Sequence, residues 1–170
     1  MKMLMKDIKK EPGGNRMYGK MYSELFGKEL DVIIKGGEEM IQYAEKCADY
    51  LNHFPDELLA ELKKYSLRYC EDMRGYFDPE CPEVPENVTE DTILDYARAN
   101  CLIVEPPQDD GIIGFGVEFS CVWEPEHGME WTVRDGGVLY VADFMGISPW
   151  YDDRVYSTEC RSYVFEDFIM

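Results

Sequence analysis

The run Glu124-Pro125-Glu126-His127-Gly128, with Glu130 close behind and Asp143 further along, is the one place where an imidazole and several carboxylates gather. Residues of these types support two chemistries. His127 can act as a general base oriented by Glu126 or Glu130, or as a metal ligand with those carboxylates. Zinc or iron asks for three or four ligands, however, and the only other histidine, His53, is distant in the chain. A structural reading competes: Pro125 fixes φ, His127 satisfies polar backbone groups, and Gly128 supplies the positive φ of a turn. That reading carries more weight, so we expect no catalytic residue, no metal and no cofactor here. A Cys121 nucleophile partnered by His127 is permitted by composition, but Cys121 alternates in step with Phe119 and Trp123 toward a core, where a thiol is inert. Gly111, Gly114 and Gly116 lie in a strand pattern rather than before a helix, which argues against phosphate binding.

The elements that must hold this run read clearly. Ile113, Phe115, Val117, Phe119, Cys121 and Trp123 alternate with Gly114, Gly116, Glu118 and Ser120, the period of two of a strand with one buried face. Met129, Trp131 and Val133 repeat it, and Asp135-Gly136 is a hairpin turn into Val138–Phe144. Upstream, residues 1–16 read as a loosely ordered leader, and Met17–Phe26 with Glu29–Lys35 as a hairpin around Gly27-Lys28. Apolar spacing at Met40, Ala44, Cys47 and Leu51 predicts a helix over 37–53. Leu58, Leu62, Tyr65, Tyr69 and Met73 predict a second over 56–74, with Pro55 at its start. Residues 77–88, with three prolines among acids, read as a connector. Thr89 is placed to cap a short helix carrying Ile93, Leu94, Ala97 and Cys101, and Leu102–Glu105 to start a strand. Val155–Phe165 fits either a strand or a short helix. The sum is one α+β domain over 1–170: an antiparallel sheet of about five or six strands with a helical hairpin packed on one face.

Charge narrows the partners. With 35 Asp plus Glu against 17 Lys plus Arg, the net charge is −18. Such a field repels nucleic acid and anionic membranes and suits a basic protein, or simply solubility. The segment Trp150-Tyr151-Asp152-Asp153 sets an exposed aromatic pair beside acids, the composition of an interface anchor for that partner. None of the six cysteines forms a Cys-x-x-Cys pair, so reduced thiols in a cytoplasm are expected. The N-terminus carries charge where a secretion signal needs apolar residues, and no stretch approaches the ~20 apolar residues of a membrane helix.

The run Trp123-Glu124-Pro125-Glu126-His127-Gly128-Met129, between a strand and a strand ending in Arg134-Asp135-Gly136, resembles the signature of a bacterial family of small acidic proteins of uncharacterised function. Met129 stands where leucine is commoner, a volume-conserving change. Members of that family resemble immunity proteins that protect bacteria against polymorphic toxins. The resemblance implies a non-enzymatic cytoplasmic binding protein that neutralises a basic toxin by surface complementarity. Two alternatives stand beside it: a hydrolase or metal-dependent enzyme using Glu126, His127 and Glu130, and a structural or regulatory domain.

Overall fold

Alternation and helical spacing become real elements in a computed structural model that describes residues 2–74 and 84–165. Its strands are β1 (Met5–Lys10), β2 (Met17–Ser23), β3 (Lys28–Ile34), β4 (Ala97–Val104), β5 (Gly114–Cys121), β6 (Glu124–Arg134) and β7 (Gly137–Ala142). The helices are α1 (Ile41–Asn52), α2 (Asp56–Arg74) and α3 (Asp153–Thr158). All seven strands lie in chain order across one sheet. Every neighbouring pair is antiparallel except β3 and β4, which run parallel because α1 and α2 form the crossover between them.

The described residues form seven strands, not five or six, and depart from the sequence expectation at two places. Within the expected leader, residues 5–10 form a strand: β1 pairs with β2, and the Glu45 carboxylate on α1 accepts from the Leu4 and Met5 N–H groups at 2.9 and 2.8 Å. Exposed Lys6, Lys9 and Lys10 are the charges that keep an edge strand from pairing further. The short helix expected after Thr89 shrinks to one 3-10 turn at Ile93–Tyr96, and Ala97 and Cys101 belong to β4. β4 is bonded on both sides, and two ladders outweigh a weak local preference for helix. At the other end, 153–158 resolves as helix rather than strand. Of the connector at 77–88, residues 77–83 lie outside those described, while Arg74 Nη2 donates to the Val84 carbonyl at 3.2 Å.

One face of the sheet packs on α1 and α2. Leu30, Val32 and Ile34, then Leu102 and Val104, Phe115, Val117 and Phe119, and Met129, Trp131 and Val133 are all buried there. Ala44, Cys47, Leu51, Leu58 and Leu62 meet them from the helices. Polar links fix the register of the layers. Tyr43 Oη donates to the Ile112 carbonyl at 2.8 Å and accepts from Gly114 N at 3.0 Å, while Trp131 Nε1 donates to Ser66 Oγ at 2.9 Å. Among the described residues, the opposite face carries a small second cluster at the β7 end, formed by Tyr140, Ala142, Tyr156 and Cys160, and the segment after β7 crosses it further along, with Pro149 and Trp150 close to Gly114.

Candidate functional site

The β5–β6 hairpin turns at Val122-Trp123, so Glu124 already lies in β6. Cys121 opposes Glu124, and the next pair is Phe119 with Met129. Pro125–Gly128 therefore face the single residue Ser120 as a wide bulge at the start of β6, rather than as a loop between strands. Gly128 sits at φ 66°, as expected of the turn glycine, and a Cβ there would collide with the Phe119 carbonyl oxygen. Only glycine closes this bulge.

Buried Glu124, not His127, satisfies the backbone of the run. Its Oε1 accepts from the N–H groups of Glu126 and His127 at 3.1 and 3.4 Å. The His127 ring is 57% exposed and meets the protein through Nδ1, 3.4 Å from the same oxygen. Ligand atoms of Glu124, Glu126 and His127 lie within 4.8 Å of one another, a set that could offer a divalent cation one nitrogen and two oxygens. The Glu124 carboxylate is already engaged by two backbone donors. Glu130 does not join this set. It follows Met129 on β6 and points to the other face, opposite Glu118 and Ala142. Asp143 accepts from the Tyr140 hydroxyl, Oδ1 at 3.2 Å, and is likewise outside it. Burial pushes the Cys121 thiol up to about 12, so it remains protonated and unreactive. Tyr69 anchors the whole run, donating to the Gly128 carbonyl at 2.9 Å and packing edge-on against Trp123 with ring centroids 5.7 Å apart.

The Trp150–Asp153 segment differs from expectation in one respect. Trp150 is buried, 9% exposed, because the missing side chain at Gly114 leaves room for its ring; a Cβ there would lie 3.0 Å from it. Tyr151 is 40% exposed. Asp152 caps α3 through the Arg154 N–H at 3.0 Å, and Asp153 pairs with Arg134.

Sequence reasoning missed the face turned away from α1 and α2. Register puts Lys20, Asp31, Cys101, Glu118 and Glu130 in one row across the sheet, and Tyr18, Ile33, Ile103, Gly116 and Thr132 in the next. Two confluent hollows that share Ile33 and Glu118 follow these rows, with volumes of about 580 and 310 Å³. Burial raises the carboxyls of Glu118 and Glu130, the latter to about 7. The alternation did mark Glu118 as facing away from the core. Its pairing with Glu130 was hidden by the bulge, which breaks the count from the hairpin turn.

A family model described as "Domain of unknown function (DUF6985)" matches residues 5–148, and the chain belongs to that family. No curated protein and no solved structure matches it.

Proposed function

We propose that this member of the DUF6985 family is a non-enzymatic binding protein, acting in the cytoplasm, whose acidic surface receives a basic protein. The finer form of the proposal is an immunity protein that neutralises a toxin by covering it. The observation that carries the reading is the sheet face turned away from α1 and α2. Tyr18, which lines the larger hollow, and Tyr22 stand on it 39% and 57% exposed, on a chain of net charge −18. Exposed tyrosines on a rigid strand are efficient interface anchors, and a strongly negative field attracts a cationic partner from a distance. Among the described residues no helix is long and apolar enough to cross a membrane.

The test is affinity capture with the tagged protein as bait, followed by assay of the captured partner's own activity. A basic polypeptide whose toxicity or enzymatic activity is abolished in the complex supports the proposal. Capture of an acidic partner, or of a partner fully active when bound, contradicts it. The Glu124, Glu126 and His127 grouping supports the competing metal-enzyme reading. Stoichiometric metal released by His127→Ala would establish that reading instead.

A further inference from the structure

Glu118 of β5 lies directly opposite Glu130 of β6. Like charges in that relation destabilise a sheet unless something offsets them. The Glu118 carboxyl has no hydrogen bond or ion pair among the described residues. Glu130 is 1% exposed, and its Oε1 accepts from the Ile147 N–H at 2.9 Å. Both line the hollow of about 310 Å³ between the sheet and the segment that follows β7. Ile33, Ile103, Gly116 and Pro149 give this hollow apolar walls. Lys35, at its edge, is already paired with Glu105 at 3.0 Å, and Glu105 also accepts from Ser148 Oγ at 2.7 Å. Arg16 is exposed at the rim. The result is an apolar slot ending in two carboxyls, Glu118 without a side-chain partner and Glu130 held by backbone N–H groups of Met145, Gly146 and Ile147, with no ion pair to a cation among the described residues. An aliphatic stem with a planar cationic head fits that chemistry: the stem covers the walls and the head bridges two carboxylates.

We propose that this slot receives one arginine side chain of the basic partner, its guanidinium bridging the carboxylates of Glu118 and Glu130. The inference rests on the partner class proposed above and adds where on the protein that partner is anchored. Because burial holds Glu130 near 7, it must give up its proton to the solvent before it can serve a guanidinium, so binding weakens as pH falls below that value. The charged and titratable groups around Glu130 are Glu118 on β5, Tyr140 on β7 with Asp143, Cys160 beyond α3, and Arg16, Lys35 and Glu105 along the slot. The Tyr140 and Cys160 protons are held more tightly than usual by burial, so neither is released near neutrality.

The experiment is an NMR titration of the ¹⁵N-labelled protein with N-acetyl-arginine amide, and with the uncharged citrulline analogue as control. The expected result is saturable shifts at the amides of Gly116, Glu118, Glu130 and Ile147, with affinity about tenfold weaker at pH 6 than at pH 8. The citrulline analogue should leave these amides unmoved, and Glu118→Gln should abolish saturation. The spectrum of Glu118→Gln away from the slot reports whether that variant is folded. Absence of saturable shifts at pH 8, equal shifts from citrulline, or binding indifferent to Glu118→Gln would overturn the assignment. The two levels separate cleanly. A captured basic partner that binds Glu118→Gln as well as wild type removes the slot alone, whereas arginine binding without any basic partner removes the broader reading alone.

Discussion

At the scale of single residues, burial decides which member of the Glu-Pro-Glu-His-Gly run matters. Glu124 accepts from two backbone N–H groups of a bulge, and the exposed His127 ring touches only that carboxylate. Glu124→Ala should therefore cost about 1–3 kcal/mol by leaving donors unpaired. His127→Ala should cost less than about 1 kcal/mol, as an exposed pair does. Urea denaturation of both variants checks the order, and a larger loss for His127→Ala would reverse it. Glu130 carries the clearest pH signature. Its folded-state value of about 7 lies above its ordinary 4.5, so the native state binds this proton more tightly than the unfolded chain. The stabilisation is fully present below about pH 4.5 and is lost as pH rises through 7, about 3 kcal/mol in all. Glu130→Gln removes the titration. Its stability relative to wild type should then grow by that amount between pH 4.5 and pH 8, and a constant difference would contradict the burial argument.

At the scale of elements, the legible part of the sequence was whatever repeats with a period. The two helices, the β2–β3 hairpin and the strands from Gly114 to Ala142 announce themselves by alternation or helical spacing, and Asp135-Gly136 takes positive φ at both positions as a tight hairpin demands. What stayed hidden depends on distant partners. β1 shows little alternation and is held by Glu45, forty residues away in the chain. β4 is strand because β3 and β5 flank it. The candidate site was legible only in part for the same reason: Gly128 follows from local geometry, whereas the Glu118–Glu130 pair and the slot for Trp150 arise from register and packing across strands. The Glu45 staple is directly testable. Glu45→Ala should speed hydrogen exchange at the Leu4 and Met5 amides about tenfold while leaving β5 and β6 unchanged. Unchanged exchange at those two amides would show that β1 is held by its pairing with β2 alone.

At the scale of the whole molecule, the two faces of the sheet are unequal. One sheet face is closed by α1 and α2, and the other is left largely open between β1 and β5, with exposed tyrosines and two hollows on a chain of net charge −18. A field of that size acts over distances longer than any contact, so it should govern how fast a cationic partner arrives. The tyrosines and the slot should govern how long it stays. Tyr22→Ala should accordingly speed dissociation with little change in association. The most direct measurement is the association rate of the captured partner at about 0.05 M and about 0.5 M salt, which spans the ~10 Å screening length at 0.1 M. The account predicts a basic partner whose association slows steeply, by tenfold or more on the order expected for steered encounter, while dissociation changes far less. An association rate indifferent to salt would contradict it.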